Sequence, residues 1–291
     1  MKTLKFKNSQ GEEIIFTNAA PFWLKDFSQS IAVVNHTNKG AGQDGNTYLS
    51  NTLDDSDITL KVSVIGSNKD EFNQLKSKLR RVLNPKFDEG KLIKNDGEKD
   101  LFIKCIPAKV PFIVNTNDRR GECVISIVAS DPYWKDLYKS KDEIALWVGD
   151  FEFDHIEGLQ IPEEGIIMGH REPSLIVNCI NNGDVDSGMI IEFRALATLE
   201  NPSLFNVNTQ EFAKINKTME AGEIIRINTH FAEEDVEMEL NGVISNAFNY
   251  IDEDMTFLKL NQGDNLFRYD AESGLDNLVV NIYRQDRYLG V

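Results

Sequence analysis

Cysteine is scarce: the chain of 291 residues holds three, Cys105, Cys123 and Cys179. An odd count cannot pair fully, and none stands in a CxxC or Cys/His spacing, so a disulfide framework and a zinc site are both poor readings. They read as small buried apolar residues of a reducing compartment. Histidine is also sparse. His36, His155, His170 and His230 fall in no HxH, HExxH or HxxEH pattern and read as surface or loop residues rather than metal ligands. No serine lies in a GxSxG elbow, and no GxxxxGK[ST] loop is present. No apolar run approaches the roughly 18 residues of a membrane span, so no membrane insertion is expected. The start, Met1-Lys2-Thr3-Leu4-Lys5-Phe6-Lys7, alternates like a strand and lacks the apolar core of a signal peptide.

Charge is plentiful but unevenly spread. Residues 1–143 hold 22 Lys and Arg against 20 Asp and Glu, whereas residues 144–291 hold 9 against 27. The first half is therefore nearly neutral, and the second carries almost the whole net charge of −16. Such a break near the midpoint predicts two domains, 1–140 and an acidic 141–291. The acidic half would repel nucleic acid, whose binding depends on Lys and Arg, and would oppose non-specific self-association.

Only one segment reads as a convincing helix. Phe72, Leu75, Leu79 and Val82 make one apolar stripe over about residues 69–83. Asn68 and Glu71 suit its start, and Pro85 disfavours helix at Asn84 and stops it. Lys76, Lys78, Arg80 and Arg81 are read as its basic outer face. Around it lie strands: Leu4–Phe6 and Ile14–Phe16 about Gly11, Ile31–Val34, and Ile58–Ile65. Gly90–Ile93 and Leu101–Ile106 flank the Asp96-Gly97 turn, and Val110–Val114 and Cys123–Ala129 flank a loop over 115–122. Cys123, Ile125 and Ile127 alternate with Val124, Ser126 and Val128, which suggests a strand covered on both faces. The polar stretch 36–57 carries Lys39, Gly40, Gly42, Asp44 and Gly45 and reads as a loop or hairpin tip.

In the second half Trp147, Val148, Phe151 and Phe153 precede a glycine-punctuated stretch with Gly149, Gly158, Gly165 and Gly169. Short strands then recur between turns: 175–179, 189–196, 205–207, 211–215, 224–227, 236–240, 257–260, 266–269 and 278–283. Spacing of 8–12 residues indicates a β-sandwich, not βαβ units. Possible chemistry is thin. Glu152/Asp154 and Glu237/Glu239 share strand faces, as solvated carboxylates do. Asp184-Val185-Asp186 lacks the spacing and terminal Glu of an EF-hand Ca²⁺ loop. Trp147, Phe248, Tyr250, Phe267, Tyr269, Tyr283 and Tyr288 could stack on sugars but stand where core aromatics stand.

Taken in order, the helix ending Val82-Leu83-Asn84-Pro85, Gly90-Lys91-Leu92, Leu101–Cys105 and Asp131-Pro132-Tyr133-Trp134 resemble the distal tail protein family of phages of Gram-positive bacteria. So do Gly42–Gly45, Asn181–Gly188, Glu200-Asn201-Pro202, Ala221–Ile224, Leu260–Asn265 and Tyr288–Val291. The resemblance covers nearly the whole chain. It implies a mainly β fold: a ring-forming N-terminal β-sandwich with one helix, then a galectin-like or carbohydrate-binding-module-like β-sandwich. It implies a structural virion protein of the tail tip, non-enzymatic and without cofactor or metal. Six copies would form a homohexameric ring joining the tail tube protein to the tail-tip hub protein, with receptor-binding proteins as further partners. Within that reading, Lys39, Gly40, Gly42, Asp44 and Gly45 form a ring-contact hairpin that adds to a neighbour's sheet. Lys76, Arg80 and Arg81 form a basic helix face toward acidic surface or solvent. Two alternatives stand beside it: a module gripping host cell-wall saccharide through the acidic half, and a β-sandwich hydrolase of wall polymers.

Overall fold

A computed structural model describes residues 3–95, 97, 99–143, 147–148, 170–171 and 176–290. It is mainly β, with a single α-helix among the described residues. The chain forms two units, Met1–Tyr138 with Arg287–Val291, and Lys139–Asp286. The expected second domain ran on to Val291, but Arg287 and Tyr288 pair with Lys135 and Trp134, so the last strand completes the first unit. Phe151, Phe153, His155, the pair Glu152/Asp154 and the glycines at 149, 158, 165 and 169 lie outside the described residues, as does Asp96 of the expected turn.

Unit 1 begins with β1 (Thr3–Lys7) and β2 (Glu13–Phe16), an antiparallel hairpin whose Leu4, Phe6, Ile14 and Phe16 face inward. Two long strands follow, β3 (Phe22–Asn38) and β4 (Thr47–Ile65), paired from Phe22↔Val64 to Asn38↔Thr47. Then come α1 (Lys69–Val82), β5 (Gly90–Asn95), β6 (Asp100–Pro107), β7 (Phe112–Asn117), β8 (Arg120–Ala129) and β9 (Trp134–Asp136). The sheet runs β2-β1-β5-β6-β8-β4-β3. Strand β6 turns the corner: Asp100–Cys105 pair with β5, whereas Ile106 and Pro107 pair with β8. One core fills the fold between the two halves, with Leu4, Phe6, Ile58, Leu60, Val62, Ile125, Ile127, Trp134 and the helix residues Phe72, Leu79 and Val82.

The helix forms where the stripe predicts. The Asn68 side chain accepts from the Glu71 N–H at 2.8 Å, while the Glu71 carboxylate accepts from Ser67 N at 2.7 Å. Two orphan donors of the first turn region are thereby satisfied by side chains. Strand β8 departs from expectation. Cys123, Ile125 and Ile127 are buried, whereas on the other face Val124 is exposed and Ser126 and Val128 are half-buried, so that face is covered only in part. The expected 115–122 loop contracts to a tight Asp118-Arg119 turn between β7 and β8.

Unit 2 contains β10 (Ser140–Glu143), the short pair β11 (Trp147–Val148) and β12 (His170–Arg171), and β13 (Ile176–Asn181). These are followed by β14 (Met189–Ala195), β15 (Leu199–Glu200), β16 (Ser203–Asn206), β17 (Phe212–Lys214), β18 (Thr218–Met219) and β19 (Ile224–Asn228). The last are β20 (Asp235–Leu240), β21 (Val243–Asn246), β22 (Gly263–Asp270) and β23 (Leu278–Arg284). A six-stranded sheet, β10-β23-β14-β19-β20-β21, and a four-stranded sheet, β13-β22-β16-β17, contribute to one core. Ile191, Phe193, Ile225 and Ile282 come from the first, and Cys179, Leu204, Ala213 and Phe267 from the second. That is the packing of a β-sandwich. The expected strand 257–260 is not one: Leu258 and Leu260 are buried, yet the segment joins no ladder and makes a single isolated bridge, Leu260 with Ser187 in the segment before β14.

Candidate interaction surfaces

The pairing of β4 with β8 ends at Ser56↔Ala129, so residues 32–38 and 47–55 continue as a two-stranded arm. At about 3.4 Å per residue its nine-residue edge reaches about 30 Å. From Ala32 to Thr52 every residue is exposed. The tip carries the predicted Lys39, Gly40, Gly42, Asp44 and Gly45. Gln43 ties it together: its Oε1 accepts from Gly40 N at 3.0 Å and its Nε2 donates to Thr47 Oγ1 at 3.0 Å. Gly42 and Gly45 have φ of 78° and 77°, a conformation glycine adopts without strain. Lower down, His36 Nε2 lies 3.1 Å from Thr52 Oγ1. Val33, Val34, Tyr48 and Leu49 are apolar yet exposed, the last two at 58% and 61%. A two-stranded ribbon without a core is marginal in water.

The basic residues of α1 do not form one face. At 100° per residue, Lys76 and Arg80 lie on one flank and Lys78 and Arg81 on the other. Lys76 Nζ folds back over the Phe72 ring, 4.4 Å from its centroid, and Arg81 Nε pairs with Glu12 at 2.9 Å. Arg80 and Lys78 are exposed.

A second exposed apolar strip was not legible in the sequence. Phe112 and Val124 are cross-strand partners, 76% and 55% exposed, and Val114 follows on the same face of β7 at 60%. Val110 precedes them. Its sequence signal is a strand, β8, that is apolar on both sides of its alternation.

Asp131-Pro132-Tyr133-Trp134 closes unit 1. Trp134 is fully buried and its Nε1 donates to Gln29 Oε1 at 2.9 Å. Asp131 pairs with Lys135 at 2.8 Å and Arg287 at 3.0 Å. Burial pushes the Asp131 carboxyl up, but the two cations outweigh that and hold it below the usual carboxylate range. Arg287 also stacks over Tyr133, 4.0 Å from its centroid.

In unit 2 the outer face of the six-stranded sheet bears a polar cluster. Buried Glu192 accepts from Asn281 Nδ2 and Arg226 Nε, both at 2.9 Å, and Arg226 reaches on to Glu239 at 2.6 Å. Of the aromatics proposed for stacking on sugars, Phe267 and Tyr269 are core residues of this unit and Tyr288 of unit 1, whereas Phe248 is exposed. All three cysteines are free and buried; burial pushes the thiols of Cys105 and Cys179 up to about 12 and that of Cys123 to about 11. Among the described residues, no group of three His, Cys, Asp or Glu side chains is placed to hold a metal, and no helix is long and apolar enough to cross a membrane.

Two family models match the chain: the phage tail protein RIFT-related domain over residues 9–128, and the C-terminal domain of the siphovirus-type tail component over residues 182–288. No curated protein matches it in sequence. Among solved structures it is similar to the Dit protein of phage SPP1, described as a paradigm of hub adsorption apparatus in phages infecting Gram-positive bacteria. The TM-score is 0.70 at 9% identity, over 99% of this chain and 100% of that one. It is also similar to chains of the phage P2 baseplate in its activated conformation. With Ca the TM-score is 0.56 at 12% identity, and with Sr 0.53 at 13%, each over 98% of both chains. With one tail-protein model on each unit and the fold of Dit across nearly its whole length, the chain belongs to the siphophage distal tail protein family, structural proteins of the phage tail.

Proposed function

We propose that the chain is a non-enzymatic hub at the tail tip, six copies of which close into a ring between the tail tube and the tail-tip hub protein. The arm of residues 32–55 carries the reading, with Lys39, Gly40, Gly42, Asp44 and Gly45 at its tip: an apolar-bearing ribbon with no core of its own needs a neighbour. The charge asymmetry supports it. A nearly neutral half packs against copies of itself without large repulsion, and an acidic half belongs at the periphery, where solvent and salt screen it. In this arrangement unit 2 offers the docking face for receptor-binding proteins. Light scattering and negative-stain images of the protein, alone and with its tube and hub partners, test this. Rings are expected; monomers under every condition overturn it.

The outer sheet face of unit 2, where Arg226 stays about 31% exposed above buried Glu192 and Asn281, favours a second reading, in which unit 2, as a galectin-like sandwich, holds host-wall saccharide. Polar groups fixed on a sheet face suit hydroxyl-rich ligands. A glycan array and a cell-wall pull-down with the full chain decide it: binding that Arg226→Ala abolishes supports it, and no binding overturns it.

A further inference from the structure

We propose that β21, at the edge of the six-stranded sheet of unit 2, accepts an added strand from a partner protein: an extended segment in which Lys or Arg alternates with apolar residues. The inference rests on the reading of unit 2 as a docking face, and it names the edge and the chemistry of what docks there. Four observations carry it.

Strand β21 is open. Among the described residues it pairs with β20 alone. Ala247 N bonds back to Val236 O, so the alternation of the ladder turns the backbone N–H and C=O of Ile244 and Asn246 away from the sheet. The strand is also unguarded. Val243-Ile244-Ser245-Asn246 holds no charge and no proline, whereas β10, at the opposite edge of the same sheet, reads Ser-Lys-Asp-Glu. An edge without charge, proline or bulge invites pairing with another chain. The Asn241-Gly242 turn, with φ of 51° and 78°, fixes the register of the hairpin in advance.

The side chains of the strand are apolar and uncovered. Val243 is 69% exposed and Ile244 58%. Val243 stands opposite exposed Leu240 on the core-facing side of the sheet, and Ile244 opposite Glu239 on the outer side.

Charge selects the occupant. Residues 231–254 hold eight Asp and Glu and no Lys or Arg. A second copy would set this acidic hairpin against itself, like charge facing like, which opposes self-pairing. A basic segment suits it. On a strand laid along β21, Lys or Arg on the outer side reach toward Glu237 and toward Glu239, whose partner Arg226 is shared with Glu192. Their methylene stems then lie over Ile244. Apolar residues on the core-facing side cover Val243 and Leu240. Strand addition draws affinity from main-chain hydrogen bonds and specificity from such alternate side chains.

A labelled peptide, Lys-Val-Lys-Ile-Lys-Val-Lys, tests this by fluorescence anisotropy with the full chain. A peptide with the same residues in block order serves as its control. Ile244→Pro removes an outward N–H and leaves the bonds to β20, as proline on a sheet edge does. Ile244→Lys keeps the backbone and adds a like charge. Ile15→Lys adds the same charge at an exposed site in unit 1. Circular dichroism and thermal melts establish which variants fold; if Ile244→Pro does not, Ile244→Lys decides. The alternating peptide is expected to bind, less tightly as salt rises. The block peptide, and both Ile244 variants with the alternating one, are expected to bind at least about tenfold more weakly, through lost main-chain bonds and blocked contact. Ile15→Lys is expected to bind as the unchanged chain does. No binding, equal binding of the block peptide, or binding that the Ile244 variants retain overturns the proposal. So does self-association of the unchanged chain that Ile244→Pro abolishes, which gives the edge to a second copy. If the receptor-binding protein of the same particle binds every variant alike, this edge is overturned and unit 2 remains a docking face; if it does not bind even the unchanged chain, both fall.

Discussion

Glu192 sits on the outward side of a sheet and is nevertheless almost wholly covered, its side chain 3% exposed. Burial raises the pKa of such a carboxyl, but hydrogen bonds from Asn281 and Arg226, with the charges of Arg226 and Arg194, outweigh burial and hold it below the ordinary value. A group whose folded pKa is depressed contributes stability that is fully present above its unfolded value of about 4.3 and is lost as pH falls through the folded one. Glu192→Gln keeps the shape and removes the charge. It should destabilise unit 2 by about 1–3 kcal/mol at pH 7, the scale of a broken charge-assisted hydrogen bond with a partly exposed partner. The deficit should shrink as pH falls from the unfolded value of about 4.3 through the depressed folded one, where the native carboxyl takes up its proton. Denaturant titrations of both proteins from pH 3 to 7 check this; a deficit independent of pH would show that the charge does not matter.

Among the elements, α1 separates cap from surface charge. Asn68→Ala removes the acceptor for Glu71 N and should lower stability by about 1 kcal/mol. Arg80→Glu touches an exposed residue and should change stability by less than about 0.5 kcal/mol. Arg81→Glu loses only a solvent-facing pair with Glu12, worth about 0–1 kcal/mol. Chemical denaturation measures all three. If Arg80→Glu with Arg81→Glu also leaves assembly and its salt dependence unchanged, the helix charges are merely solvated. The helix was legible because its stripe and cap are local. The first half of β4 was not: Thr47–Asp55 has no buried face to impose alternation, so a strand there resembles a loop. Strand β8 misled for the opposite reason, since Val124 is as apolar as its buried neighbours and exposure leaves no mark on composition. Phe257–Leu260 gives its side chains to the core without joining a ladder, which apolar content alone does not reveal.

At the scale of the whole molecule, the return of the last strand to the first unit had no signal in the sequence, because a pairing across about 150 residues leaves no local pattern. Tyr288 packs in the core of unit 1 beside Trp134, and Lys99 Nζ donates to its hydroxyl at 2.9 Å. Unit 2 is thus an insertion between two strands that lie side by side. Cα partners Lys135 and Arg287 stand about 5 Å apart in such a ladder, a gap that a short turn spans. A chain in which a Gly-Ser turn replaces residues 139–286 should therefore fold, with the near-ultraviolet signature of buried Trp134 intact. Deleting residues 287–291 as well should lower its melting temperature by several degrees, through loss of Tyr288 and of Arg287 from Asp131. For a lineage of phages, an insertion joined at adjacent strands is an exchangeable cassette. Recombination can replace what lies between Tyr138 and Arg287 while every pairing of the first unit is inherited unchanged.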